Sequence, residues 1–257
     1  MTLKPTATYQ TGNGLTVCEK IIPDGTVWKD EAKAKAAKFA AGALYKKQKK
    51  LCGTGKPECV TVHTTDDLPQ VEDDAEQYAR ATYNNNMGDV VVHYYIDETD
   101  CWHILADETV GWHAADGVNG PGNTKSVAIE IIMDGSGSAA DLAAEDRGAK
   151  LAAILLRRYG LGTDRLRTHR DWYPRKYCPA YILPHWDSFR GKVGTYLAGM
   201  EAAEGVNENA APEQTDADRR TFYRVQVGFY GVKANAEAMR QRLKQAGFPA
   251  IIKEEKV

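Results

Sequence analysis

Val60-Thr61-Val62-His63-Thr64-Thr65 is a run of β-branched residues broken by one histidine, with Gly55 and Pro57 before it and acidic residues after it. β-Branched side chains favour extended backbone, and turn residues bound the run, so it reads as a strand. A second apolar run, Ser126 to Met133, ends at Asp134-Gly135 and reads the same way. Between them, Val71 to Asn86 looks helical, and Val90 to Ile96 with Trp102 to Leu105 forms a hairpin around Asp97-Glu98-Thr99-Asp100. Ala139 to Tyr159 is a long helix, with Leu151, Ile154, Leu155 and Tyr159 on its buried side and Gly160 as its stop. Strands separated by helices in this order predict an α/β fold, a central mixed sheet flanked by helices.

Working outward, residues 1–29 read as irregular, with turn signals at Gly12-Asn13-Gly14 and Pro23-Asp24-Gly25. Asp30 to Lys50, rich in Ala and Lys, is expected as a helix with a solvated lysine face. Leu161 to Pro184 reads as a loop before a last helix over Trp186 to Met200. Glu204 to Arg220 is polar, carries Pro212 and has almost no large apolar residue, which is the composition of a linker. A strand (Thr221 to Phe229), a helix (Ala234 to Gln245) and a short strand (Ala250 to Lys253) follow. The expected organisation is a main domain over 1–203 with core motifs at 60–184, a linker over 204–220, and a small α+β module over 221–257.

Composition narrows the function. Hydrophobic residues make up 43% of the 257 and charged residues 26%, enough for a core without a disulfide framework. Thirty-three basic against 35 acidic side chains leave a formal charge of -2, with no electrostatic case for nucleic acid. Cys18, Cys52, Cys59, Cys101 and Cys178 are an odd set, and the Cys52–Cys59 spacing fits no common zinc pattern, so those two read as plain thiols. No apolar run is long enough to span a bilayer. Met1 to Leu15 has no apolar h-region, so synthesis in the cytoplasm without a signal peptide is expected.

Three side chains stand out as metal donors. His63 lies in the first strand, and His169 and Cys178 lie near the two ends of Thr-His-Arg-Asp-Trp-Tyr-Pro-Arg-Lys-Tyr-Cys-Pro. Two imidazoles and a thiolate suit zinc with an open position for water, and the intervening loop is long enough to bring both ends to one ion. Pro179 biases Cys178 towards extended backbone. Taken singly, a strand histidine also fits a hydrogen-bonded core residue, and a lone cysteine a small buried apolar one.

The stretch from His63 to Leu183 resembles the zinc N-acetylmuramoyl-L-alanine amidases that share a fold with peptidoglycan-recognition proteins, phage and prophage endolysins in particular. Four pieces match in order: Val-Thr-Val-His-Thr-Thr at 60–65, Val-Val-Val-His-Tyr-Tyr-Ile-Asp at 90–97, Gly-Trp-His-Ala-Ala-Asp-Gly at 111–117 with Gly-Asn-Thr-Lys-Ser-Val-Ala-Ile-Glu-Ile at 122–131, and Thr-His-Arg-Asp-Trp…Lys-Tyr-Cys-Pro. The resemblance implies one zinc ion on His63, His169 and Cys178. It implies Glu130 as catalytic base, taking the proton of a zinc-activated water and passing it to the leaving amine. It also implies Lys176 as the group that stabilises the oxyanion. Without the resemblance, Glu130 would read as an edge or salt-bridged carboxylate and Lys176 as a solvated loop charge. His113 matches a position near the substrate groove and is expected to contact substrate. His93 reads as structural, and His103 and His185 have no assignment.

Two departures are visible. Val92 stands where some phage relatives carry a tyrosine, and Thr64-Thr65-Asp66-Asp67 replaces the Thr-Gly-Asn turn of many relatives. The tail, from Phe222-Tyr-Arg-Val-Gln-Val-Gly-Phe-Tyr onward, resembles a SPOR-type repeat, which implies binding to glycan strands of the peptidoglycan polymer. The expected activity is cleavage between muramic acid and L-alanine, exerted on the wall after release by lysis. A non-catalytic wall-binding protein of the same fold typically lacks the cysteine, so Cys178 argues against it. A cytoplasmic amidase recycling soluble muropeptides would have little use for a wall-binding tail.

Overall fold

In the computed structural model, residues 2–23, 49–65, 74–88 and 90–208 are described, with helical positions at 233, 236, 237 and 239–241. Among them, seven strands form one sheet: Ala7–Gln10 (β1), Thr16–Glu19 (β2), Cys59–Thr64 (β3), Tyr94–Ile96 (β4), Cys101–His103 (β5), Ser126–Ile131 (β6) and Leu166–Thr168 (β7). Their spatial order is β1-β2-β5-β4-β6-β3-β7. β3 runs parallel to β6 and β7, β6 parallel to β4, and β2 parallel to β5, whereas β1–β2 and β4–β5 are antiparallel. The mixed sheet expected from the sequence is present. Its helices are Ala75–Tyr83 (α1), Pro121–Lys125 (α2), Ala139–Tyr159 (α3), His169–Trp172 (α4) and Trp186–Glu208 (α5). The chain divides into units over Met1–Met200 and Glu201–Val257, and the sheet belongs to the first.

The centre of the sheet is buried on both faces, which is why β3 and β6 read as largely β-branched and apolar runs. Val60, Val62, Val127, Ile129 and Ile131 share one core with Leu151 and Leu155 of α3 and with Phe189 and Val193 of α5. Alternate positions turn the other way. There Ala128, Tyr95 and Trp102 pack with Ala75 and Ala79 of α1. His63 and Glu130, paired in register across β3 and β6, lie in this second alternation.

Local chemistry sets the helix ends. Asp74 caps α1 by accepting from the Gln77 N–H, and Ser138 caps α3 by accepting from the Asp141 N–H. Gly160 ends α3 at φ 65°, a left-handed backbone that glycine adopts without Cβ strain. Thr168 and Asp171 form a reciprocal capping box at the start of α4.

Several expectations need correcting. The irregular N-terminus contains the β1–β2 hairpin, turned at Gly12-Asn13-Gly14; β1 is a polar, largely exposed strand with no apolar alternation to announce it. The loop expected over Leu161 to Pro184 contains β7 and α4, both too short for periodicity to reveal. The strand expected from Val90 is regular only from Tyr94, because Val91 makes an isolated bridge to Trp112. The last helix passes Met200 and reaches Glu208. The helix expected over Asp30 to Lys50 and the strands of the C-terminal module fall largely or wholly outside the described residues.

Two buried polar groups tie the sheet to its loops. Asp107 accepts from the hydroxyls of Tyr94 at 2.7 Å and Tyr159 at 2.8 Å, pairs with Arg158, and has His103 Nε2 at 3.1 Å. Burial alone would raise its carboxyl, but His103, Arg158 and Tyr94 outweigh burial and hold it well below the usual carboxylate range. The buried His93 ring donates from Nε2 to the Thr109 carbonyl at 2.8 Å and accepts the Ala128 N–H at Nδ1 at 3.0 Å. The His93 ring thus links the loop at Thr109 to β6.

Burial pushes the His93 imidazole from 6.5 down to about 4. Above the unfolded value neither state holds the proton, so the ring has no effect on stability there. As pH falls towards 4, the unfolded chain takes a proton that the native ring refuses, and stability drops by about 1.4 kcal/mol per pH unit. Urea unfolding at pH 7 and pH 4 should therefore show a loss about 3 kcal/mol larger for the wild type than for His93→Gln. Equal losses would mean that the ring titrates normally in the fold.

Candidate metal centre

His63 is held by the sheet itself. β7 pairs Thr168 with Val62, so the next residue, His169, emerges beside His63. The first turn of α4 is fixed by its capping box, and the loop after it returns to the same place. Tyr173 N–H donates to the His169 carbonyl, Lys176 N–H to the Tyr173 carbonyl, and Arg170 N–H to the Cys178 carbonyl at 3.0 Å. These bonds carry Cys178 back to β3, where its Sγ lies 3.7 Å from His63 Nδ1 and 3.8 Å from the Thr64 carbonyl.

The structure thus brings together the three expected donors. The Nδ1 atoms of His63 and His169 are 3.0 Å apart, and one ligand atom from each of His63, His169 and Cys178 lies within 4.8 Å of the others. Around a tetrahedral zinc with ordinary bond lengths, two nitrogens sit about 3.3 Å apart and a nitrogen and a sulfur about 3.6 Å apart. The donor set and its spacing fit such an ion, and all three side chains are buried. Burial, followed by the nearby His113, His169 and Lys176 charges, holds the His63 imidazole well below its ordinary value. A neutral ring is the form that ligates a metal.

The other expected site residues stand around this triad. Glu130 is the register partner of His63 and the only residue of β6 that is not fully buried. Lys176 is exposed, and its charge reaches His63. His113 is buried; its Nδ1 is 3.0 Å from His63 Nε2, and the two rings meet edge to face at 5.1 Å. Burial, then His93 and His169, hold its imidazole well below the ordinary range too. His103 stacks on Tyr94 with centroids 4.2 Å apart, and His185 bonds Glu145 at 2.8 Å; both belong to other parts of the molecule.

Sequence reasoning passed over four residues behind the triad. Asn123 Oδ1 accepts the backbone N–H groups of both His113 and Ala114 at 2.8 Å, fixing that loop. Trp172 Nε1 donates to Thr61 Oγ1 at 2.8 Å, and Thr61 Oγ1 lies 2.7 Å from Ser126 Oγ. The indole packs so closely on α2 that a Cβ at Gly122 would sit 2.6 Å from its ring and 2.4 Å from Ala114. The available signal was alternation, which puts Thr61 on the His63 side of β3. Trp172 stood inside a quoted motif with no role attached.

Residues 53–181, half of the chain, match the family model described as N-acetylmuramoyl-L-alanine amidase, and residues 211–257 match that of the SPOR domain. The N-acetylmuramoyl-L-alanine amidase CwlA of Bacillus subtilis (strain 168) is 30% identical over 185 residues, covering 70% of this chain and 65% of its own. XlyB of the same organism, also named an N-acetylmuramoyl-L-alanine amidase, is 33% identical over 160 residues, covering 61% of this chain and 48% of its own. The chain therefore spans under two thirds of the length of these curated relatives. Among solved structures, the catalytic domain of XlyA aligns with a TM-score of 0.55 at 26% identity, covering 70% of this chain and 100% of that one. PlyL aligns with a TM-score of 0.54 at 26% identity, covering 71% and 99%.

A Cys178 thiolate bound to a metal would have an optical signature. Cobalt(II) titrated into metal-free protein should bind one ion per chain and produce a sulfur-to-metal charge-transfer band in the near ultraviolet. That band should vanish in Cys178→Ser, and binding itself should weaken strongly in His63→Ala. Cobalt uptake without the band would show that Cys178 is not a ligand.

Proposed function

The chain belongs to the N-acetylmuramoyl-L-alanine amidase family, and from that premise we propose that it hydrolyses the amide between N-acetylmuramic acid and L-alanine in peptidoglycan. The observation that carries this reading is the convergence of His63, His169 and Cys178 at one buried point with Glu130 in register beside it. One zinc ion held by those three side chains would supply Lewis acidity at neutral pH.

The remaining chemistry falls to the protein. Glu130, on the strand next to His63, takes the proton of the attacking water and returns it to the departing alanine nitrogen. Partial exposure lets its carboxylate meet water and substrate, while the rigid ladder fixes its distance from the metal ligands. Lys176 brings a positive charge to the side where the lactyl carbonyl oxygen becomes negative. Its backbone is held by the bonds from its N–H to Tyr173 and from the Cys178 N–H to its own carbonyl, so the ammonium swings on a short, anchored loop. The SPOR domain binds the glycan of the same polymer and keeps the enzyme on its substrate. No described helix is long and apolar enough to cross a membrane. The site of action is the wall.

Mass analysis of products from purified walls should show free L-alanine amino termini and intact glycan strands. New reducing ends or cleaved cross-bridges would contradict the proposal. Glu130→Gln and Lys176→Ala should each keep the metal and the fold while losing about two to four orders of magnitude in turnover. Glu130→Gln with most of its activity would remove Glu130 as the base.

Deleting residues 209–257, just beyond α5, should leave hydrolysis of small soluble muropeptides nearly unchanged, because the proposed catalytic residues lie between His63 and Cys178. Hydrolysis of intact walls should fall, and the full chain should sediment with peptidoglycan better than the truncated one. Equal wall activity and sedimentation would show that the tail does not bind the polymer.

A further inference from the structure

The resemblance assigned His113 to substrate contact, yet its ring lies behind His63, wedged between that histidine and the start of β6. His63 Nε2 is 3.0 Å from His113 Nδ1, and His113 Nε2 is 3.5 Å from Ser126 Oγ. Ser126 Oγ in turn donates to the Gly122 carbonyl at 2.7 Å. We propose that His113 is a positioning residue: it accepts the Nε2 proton of His63 and so keeps the Nδ1 lone pair of His63 aimed at the point shared with His169 and Cys178. This rests on the metal reading of those three side chains.

The direction of every proton in the chain follows from the groups at its ends. A carbonyl only accepts, so the single hydroxyl proton of Ser126 is committed to Gly122. An indole N–H only donates, so Thr61 Oγ1 accepts from Trp172 and its own proton goes on to Ser126. Ser126 Oγ therefore meets His113 Nε2 as an acceptor, and the carbonyls of Ser126 and Gly122 add two more acceptors to the surroundings of that ring. His113 carries its proton on Nε2. A neutral imidazole then has a lone pair on Nδ1, which faces His63 Nε2 and requires a proton there. That leaves His63 Nδ1 unprotonated, 3.0 Å from His169 Nδ1 and 3.7 Å from Cys178 Sγ. The order of protons is thus imposed from Trp172 and Gly122, groups outside the cluster of His63, His169 and Cys178.

Groups that orient a metal-bound histidine typically change metal affinity by 10- to 100-fold. In the full chain, the zinc dissociation constant measured by chelator competition should rise about 10- to 100-fold in His113→Ala, with KM of the zinc-saturated enzyme unchanged. His113→Asn, whose side-chain oxygen stands near the former Nδ1, should recover most of that affinity. Unchanged zinc binding with a raised KM in His113→Ala would overturn the proposal and return His113 to substrate contact. A second measurement needs no variant. Nitrogen-15 ring correlations of the metal-free wild type should place the protons of both His63 and His113 on Nε2, and a proton on Nδ1 of either ring overturns the proposal. A wild type with these tautomers that takes up no zinc would instead defeat the metal reading while leaving the proton order standing.

Discussion

The six-residue parallel ladder between β3 and β6, from Cys59 opposite Ser126 to Thr64 opposite Ile131, is the constraint on which the rest depends. It pairs the backbones of the two longest strands and sets which side chains face which layer. Val60 and Val62 enter the core under α3, while Thr61 and His63 take the opposite side with Ser126, Ala128 and Glu130. Because side chains alternate with period two, a shift of one residue would bury His63 among leucines and turn valines towards the donors. The apolar layer thus fixes the register, and the register fixes the chemistry.

The ladder was legible because both strands are runs of mostly β-branched and apolar residues, interrupted chiefly at His63 and Glu130, and α3 because 21 residues repeat an apolar face between a serine cap and a glycine stop. The three donors were legible only in combination. His63 alone fits a core histidine, and what distinguished it was the second histidine and the cysteine of a recognised motif. β1, β7 and α4 were not legible for a common reason. Each is four residues or fewer, too short for a period, and each is specified by long-range pairing or by a side-chain cap rather than by its own composition. Thr61, Asn123, Ser126 and Trp172 escaped because their roles lie in hydrogen bonds between segments distant in sequence, such as the 111 positions separating Thr61 from Trp172.

Burying polar groups around the His63, His169 and Cys178 cluster is costly unless each finds a partner, and here the partners come from four different segments: β3, the loop at Trp112-His113, α2 with the first residue of β6, and α4. The glycine at 122 admits the indole, the indole occupies Thr61, and Asn123 holds the loop that carries His113. Each of these choices is local in space and scattered in sequence. The site is therefore as much a product of how the loops are pinned as of the strand that bears His63.

The capping box that starts α4 has a consequence for association between molecules. β7 is an outer strand of the sheet, and an exposed strand edge invites another chain to pair with it. Here the edge is largely occupied from within: Asp171 Oδ2 accepts the Thr168 N–H at 2.7 Å, Arg167 donates to the Leu166 carbonyl at 3.0 Å, and the strand bends into a helix after three residues. Little backbone is left there to recruit a foreign strand. The same carboxylate that begins the helix bearing His169 thus also occupies a backbone donor of the outer strand, so this edge offers a second copy of the chain little to pair with.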